Sequence, residues 1–416
     1  MRKGALEGIR VLDLGRVVAA PICGQILGDL GADVIKVERV KGGDDVRGVA
    51  PFTKDGVNLY YPTFNRNKRS ITIDFRNPKG IEVLRRLIAN ADVLVENFRP
   101  GTMENMGLGY EEVRKINPRM IMASISGFGE TGPYRDRAAF DWIVQAMSGF
   151  MSLSGDETTG PVRTGQPITD HMTGIYAAVG ILAALHNRSV TGLGQHIDMA
   201  LFDTLITTLG STIPDYGCNG VVQKPWGNRD MVTPVNLYKT KQGEIYIHAG
   251  SDPLYQRLVN LLQNPVLSEE RFRTIPGRNA EPDLIDGIIT QWLSDKTAKE
   301  AEVILLEAGI PCGVAARIND LFDNPQVKAR DMIIQLDVEG AGKVPYPGMP
   351  SLSAKGNRKM SPISLRIVVA RSGLTPGIIV SVVPNCQSSS LICLSSELHV
   401  SKSVRICSKN NRIKAG

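Results

Sequence analysis

What this 416-residue chain lacks narrows its class before any motif is read. Its six cysteines, at 23, 218, 312, 386, 393 and 407, include no CxxC pair and no histidine spacing of a zinc site. Reduced thiols and a cytoplasmic protein are expected. Met1-Arg-Lys runs into Gly4-Ala-Leu-Glu-Gly8 without the apolar stretch of a secretory leader. The longest apolar run, near Ile175, is about a dozen residues, too short to cross a bilayer, so no membrane is expected as a partner. No GxxxxGK(S/T) phosphate loop occurs, and no GxGxxG follows the first predicted strand, which leaves dinucleotide binding poorly supported. Gly127-Phe-Gly-Glu-Thr-Gly132 has that spacing but leads into Pro133 and a polar Arg/Asp stretch, so it reads as a turn-rich loop. There is no internal repeat.

A basic surplus is also missing from most of the chain. The formal net charge is +6, but from Asn357 onward nine Lys/Arg stand against one acid, Glu397. The remainder holds 39 basic and 41 acidic residues. No nucleic acid partner is expected.

What is present is the composition of an ordinary soluble globular protein, 42% apolar and 22% charged, long enough for two domains. Over 9–150, short apolar strands alternate with helical stretches. This predicts an α/β fold, a large Rossmann-like domain with a mostly parallel sheet. Strands are expected at 9–13, 34–38, 70–74, 93–96 and 120–124, and helices at 21–30, 80–89 and 111–116. Such sheets bind ligands beyond the carboxyl ends of their strands, which designates 17–21, 38–39, 97–101 and 127–129 in advance. A strand at 196–201 runs into a helix ending near Thr212, and Gly, Asn and Pro gather at 216–234 as a linker. A smaller α/β domain follows, with strands at 244–248 and 310–318 around helices at 253–262, 282–293 and 297–308. The expected organisation is 1–220 large domain, 225–330 small domain, 331–362 return to the large domain, and 363–416 an atypical tail. That tail has serine runs, half the cysteines, almost no acid and no lasting helical period. It reads as a shifted reading frame, in preference to a fusion scar or a poorly ordered extension.

One stretch carries chemistry. Gly165-Gln-Pro-Ile-Thr-Asp170-His-Met-Thr-Gly174 precedes an apolar helical run over 175–185. If Asp170 caps this helix, its charge lies near the helix dipole and a rigid element positions the carboxylate. A plain capping role fits the same residues.

With these residues in hand, the chain resembles the class III CoA-transferases, the formyl-CoA transferase and carnitine CoA-transferase (CaiB/BaiF) family. The resemblance covers about 6–361 and rests on separate stretches: Leu6-Glu-Gly-Ile-Arg-Val-Leu-Asp-Leu14, Leu30-Gly-Ala-Asp-Val-Ile-Lys-Val-Glu-Arg39, Asn65-Arg-Asn-Lys-Arg-Ser70, Val95-Glu-Asn-Phe-Arg-Pro-Gly101, Phe140-Asp-Trp-Ile-Val-Gln-Ala-Met-Ser-Gly149 and Thr191-Gly-Leu-Gly-Gln-His196. It implies that Asp170 is a covalent nucleophile, forming first an aspartyl–acyl anhydride and then an aspartyl–CoA thioester. It implies backbone donors for the tetrahedral intermediates from Val18-Ala19 and from the loop carrying Ala249 and Gly250. Arg39 and Arg76 match basic positions that hold the nucleotide phosphates of CoA, although solvated surface arginines would look the same. Ile73, Asn97, Phe98 and Met106 match positions along the adenine and pantetheine path, with core packing the alternative for Phe98 and Met106. Arg137 lies near a matching cationic position and Asp141 matches an acidic one. His171 adjoins the nucleophile, but the scheme needs no base.

Departures from the family pattern also inform. Formyl-CoA transferases carry Gln in place of Val18 and several glycines where this chain has only Gly250, which favours a larger or more apolar acyl group. Succinyl-CoA with a dicarboxylic acceptor is the expected pair. The substrates are thus an acyl-CoA and a small carboxylic acid, with no permanently bound cofactor or metal. An interlocked homodimer is implied by the resemblance. An α-methylacyl-CoA racemase is the alternative within the superfamily, but it needs a proton-transferring His where Phe140 stands. A non-catalytic remnant with a disrupted C-terminus is the other alternative.

Overall fold

The computed structural model describes residues 4–350. The tail at 363–416, and the end of the return segment, lie outside them. Six strands form one parallel sheet: β1 (Arg10–Asp13), β2 (Asp33–Glu38), β3 (Lys68–Thr72), β4 (Val93–Glu96), β5 (Ile121–Ser126) and β6 (His196–Ala200). Their order is β3-β2-β1-β4-β5-β6. The chain therefore winds outward from β1 in one direction, then returns to build from β4 in the other. The carboxyl ends of β1 and β4 are the topological switch point of this α/β sheet.

Helices cover both faces. The first helix (Ala19–Asp29) and the long helix (Ile168–Thr191) pack together with Val11, Val34, Val93 and Ile121 of the sheet. On the other face, Leu84 and Ile88 of the helix Pro78–Ala89 pack with Leu12, Ile35 and Leu94. These strands read as apolar runs because both faces are buried, the usual state of a parallel sheet.

A second core is built by a three-stranded sheet, β7 (Val235–Lys239), β8 (Glu244–His248) and β9 (Cys312–Val314), with helices Asp252–Leu262, Pro282–Leu293 and Ala298–Glu307. The chain then forms an antiparallel hairpin, β10 (Ile333–Val338) and β11 (Gly342–Pro347), whose Leu336, Val338 and Tyr346 pack on Val57.

Several expectations need correction. β3 begins at Lys68, two residues before the expected start, because the Lys68 ammonium is buried against Asp13 and so behaves as an interior residue. The strand expected at 310–318 spans only Cys312–Val314, and Ile318–Phe322 is a 3-10 turn. The helix after β6 breaks at Gly210, and the helix Thr212–Asn219 occupies the start of the expected linker. The dozen-residue apolar run is the middle of a helix of 24 residues, by length and composition long and apolar enough to cross a membrane. Here Thr173, Ala177, Ile181 and Ala184 instead bury one face of it in the core.

Candidate active site

Asp170 lies inside the long helix, not in front of it. Pro167 takes the N-cap position and no side chain caps the helix, so the capping expectation fails. The carboxylate nevertheless stands in the first turn, where the helix dipole favours negative charge. Four residues on is Gly174, where a Cβ would lie 2.7 Å from the Ala19 carbonyl oxygen and 2.8 Å from Ile22 Cγ2. Glycine here lets the long helix meet the first helix at backbone distance. Residues four apart share a helix face, so the same close approach brings Asp170 beside the start of the first helix.

The surroundings of Asp170 are largely apolar. Val18, Ile22 and Phe64 form a small cluster joined by Tyr60. Phe64 meets His171 edge-on at 5.7 Å and Tyr60 at 5.2 Å. Burial in this setting, with the negative charge of Asp141, pushes the Asp170 carboxyl up to about 7. Burial also raises the Tyr60 hydroxyl, helped by Asp170, and burial lowers His171 against the pull of Asp141.

Asp141 is 4% exposed and accepts from the Asp170 backbone N–H (2.9 Å) and Gln145 Nε2 (2.6 Å). Gln145 in turn holds Thr164 through both its backbone N–H and its hydroxyl. Asp141 thus fixes the first turn of the long helix while placing a second charge near Asp170. Phe140, just ahead of it, is 66% exposed.

The Val18-Ala19 loop is held with unusual firmness. Val17 has φ 67°, the left-handed region, and is the sole β-branched residue there among the described residues. Such a conformation costs an L-residue about 1–2 kcal/mol. The Val17 N–H donates to Asp44 Oδ1 (3.1 Å), and the Arg16 N–H and carbonyl are both engaged by Asn97 (2.7 and 2.8 Å). Val18 and Ala19 are buried, and the first N–H groups of a helix have no intrahelical acceptor.

The remaining expected residues fall in two places. Arg39 follows β2, Ile73 follows β3, and Asn97 and Phe98 follow β4, so all four line the carboxyl edge of the sheet. Phe98 meets Phe75 edge-on at 6.2 Å, and Met106 packs in the same cluster as Ile73. Arg39 pairs with Asp45, while Arg76 is exposed, its backbone N–H donating to Asp74. Arg137 is exposed over the Tyr134 ring. Ala249 and Gly250 belong to the second core: the Ala249 N–H donates to Pro234, and Gly250 abuts Val232 and Val235. Their contacts are with that core, not with Asp170.

Residues missed from sequence include Tyr60, Phe64, Asp44 and Gln145. One clue was available: Lys36 and Glu38 interrupt the apolar strand β2 at a two-residue period, which marks a buried polar face.

Comparison with known proteins identifies the family. The model for CoA-transferase family III matches residues 6–362. A succinate–glutarate CoA-transferase of Agrobacterium fabrum is 40% identical over 366 residues, covering 85% of this chain and 90% of the relative. A succinyl-CoA–D-citramalate CoA-transferase of Chloroflexus aurantiacus is 38% identical over 353 residues, covering 84% and 88%. A crystal structure of a CaiB/BaiF family protein from Brucella suis is 37% identical, with a TM-score of 0.79 over 88% of this chain and 97% of the other. With a family match across the described fold and close relatives of the same activity, the chain belongs to CoA-transferase family III and is a CoA-transferase.

Proposed function

We propose that this enzyme moves CoA from succinyl-CoA, or a similar dicarboxylic acyl-CoA, to a small dicarboxylic acid through covalent intermediates on Asp170. One observation carries this reading: a half-buried carboxylate, pushed up to about 7, one turn ahead of the glycine at which the long helix meets the opening turn of the first helix. Asp170 attacks the thioester carbonyl, the C–S bond breaks, and CoA thiolate leaves an aspartyl–acyl anhydride. The thiolate then attacks the aspartyl carbonyl and frees the donor acid as its carboxylate. The acceptor carboxylate attacks the resulting aspartyl–CoA thioester and expels the thiolate. Attack of that thiolate on the acceptor's acyl carbonyl gives the new acyl-CoA and restores Asp170. No proton moves in this sequence, so a carboxylate suffices and His171 has no required part.

Poor solvation makes the Asp170 carboxylate a stronger nucleophile than one in water. The opening N–H groups of the first helix, at Val18-Ala19, serve as oxyanion donors. Arg39, Arg76 and Arg137 take the phosphates of CoA, and the edge from Ile73 to Met106 takes its adenine and pantetheine. Support for the dicarboxylic substrates comes from the names of the relatives, which include a succinyl-CoA:glutarate CoA-transferase of Mus musculus at 38% identity.

A homodimer belongs to this reading. Ile175, Tyr176, Val179 and Leu182 lie exposed along the outer face of the long helix, and a helix apolar on both faces is normally covered. A second copy, supplying its Ala249-Gly250 loop, is the proposed cover. The three described cysteines are free, in keeping with a cytoplasmic setting.

The deciding test is intact and peptide mass after incubation with succinyl-CoA and trapping with hydroxylamine. A hydroxamate on the Asp170 peptide, absent from Asp170→Ala, is expected. A folded, dimeric protein giving no adduct with any of several acyl-CoAs would overturn the mechanism.

A further inference from the structure

Beneath the Val18-Ala19 loop lies a buried group of four charges that the chemistry above does not use. Asp13, Lys36, Asp44 and Lys68 are all buried. Asp44 pairs with Lys36 (2.9 Å), and Lys68 pairs with Asp13 (2.6 Å), with Lys36 4.0 Å from Asp13. Burial lowers the Lys68 ammonium to about 8, opposed by the charge of Asp13.

Each of the four also grips backbone of a single segment, Gly15 to Pro21. Asp13 accepts from the Gly15 N–H (2.8 Å), and Lys36 donates to the Gly15 carbonyl (2.5 Å). Asp44 accepts from the Val17 N–H (3.1 Å), and Lys68 donates to the Pro21 carbonyl (2.7 Å). Burying four charges is costly, and apolar residues of the same size generally stabilise a core as well or better. Stability alone therefore does not account for them. Their common target does: a loop forced through a left-handed β-branched residue directly before the helix start that faces Asp170.

We infer that Asp44 is a positioning residue for CoA transfer, holding Val17 left-handed so that the following Val18-Ala19 amides stand ready for the oxyanion. The inference rests on the role proposed for Asp170. Asp44 itself is buried. It acts through Val17, with Lys36 and Glu38 holding it in turn; Glu38 accepts from the Asp44 backbone N–H (2.8 Å).

The test couples two substitutions. In Asp44→Ala, Val17 relaxes to ordinary φ and the amides lose their aim; kcat falls about a hundredfold while KM for succinyl-CoA stays within about threefold. Adding Val17→Gly, which accepts positive φ without strain, restores kcat by about tenfold although it replaces no contact. A merely structural role for Asp44 predicts no such rescue. Unchanged kcat in folded Asp44→Ala, or a folded double variant with no rescue, overturns the inference.

If Asp44→Ala does not fold, Asp44→Ser and Asp44→Asn are compared. Both lose the ion pair to Lys36, but serine cannot reach Val17. A kcat at least about fivefold lower for serine is expected, and equal values overturn the proposal. Hydroxylamine trapping of the wild-type protein runs alongside. No Asp170 adduct there brings down the mechanism and this inference with it; an adduct with unaltered Asp44 variants brings down the inference alone.

Discussion

Two loops were expected from sequence to offer backbone donors, and they are held by different means. The loop before the first helix is gripped by Asp13, Lys36, Asp44 and Lys68, and contains the left-handed Val17. The loop after β8 is gripped by one residue. Arg278 is 0% exposed and donates to the carbonyls of Gly250 (2.7 Å), Thr233 (2.8 Å) and Phe272 (3.0 Å), with Tyr255 beneath its guanidinium. In both loops cations occupy carbonyl oxygens, which fixes the backbone without consuming its N–H groups. Asp252 balances Arg278 (2.7 Å), but it is in the strained loop that carboxylates also hold backbone N–H groups, those of Gly15 and Val17 on either side of the turn. Extra charge accompanies extra strain.

The comparison can be broken most forcibly at Asp13. Asp13→Ala leaves Lys68 without its closest anion and removes the Gly15 acceptor, so a loss of about 3–5 kcal/mol is expected in urea unfolding. Gly174→Ala comes next. Its methyl collides with the Ala19 carbonyl, at a cost of about 1–3 kcal/mol, and kcat falls more than KM rises because the two helices separate at the reacting residue. Arg278→Lys sharpens the contrast from the other side. One ammonium cannot span three carbonyls, so about 1–2 kcal/mol is lost while hydroxylamine trapping at Asp170, which draws on the first loop, persists.

The smallest effect on stability is in pH dependence. With its carboxyl pushed up to about 7, Asp170 is protonated in acid, so kcat/KM declines about tenfold per unit below pH 7. For stability the sign is opposite to that of a salt-bridged aspartate. Between about 4 and 7 the native state holds a proton that the unfolded chain has released, so stability falls as pH rises through that window. Asp170→Asn removes the penalty and is more stable than wild type at pH 8 by about 1 kcal/mol, discounted for partial exposure, with the gap closing toward pH 4.

The same contrast explains what the sequence disclosed. The β-strands of the parallel sheet were legible because burial on both faces leaves continuous apolar runs, as in Val34-Ile35 and Val93-Leu94-Val95. Arg39, Asn97 and Phe98 could be assigned to one edge because they follow expected strand ends, whereas Ile73, inside the strand expected at 70–74, came only from the resemblance. The four-charge group was mostly hidden: Lys36 inside an apolar strand was its one clue, and Asp13, Asp44 and Lys68 look ordinary until the fold brings them together. Val17 was equally invisible: nothing in Arg16-Val-Val18 suggests positive φ. Asp170 was found, but misplaced by part of a turn, because Ile168 and Thr169 lie ahead of the apolar run that marked the helix.

Arg66 sets a constraint of another kind. It binds Asp29 at the end of the first helix and donates to the carbonyl of Pro347 (2.9 Å), tying together positions 281 residues apart in the chain. During synthesis the whole six-stranded sheet can be made long before that tie can close. At ordinary translation rates the wait between the two ends is roughly 15–60 seconds. For that interval Val57 lacks its cover from the closing hairpin, and the nascent chain must keep an unfinished surface from its neighbours on the ribosome.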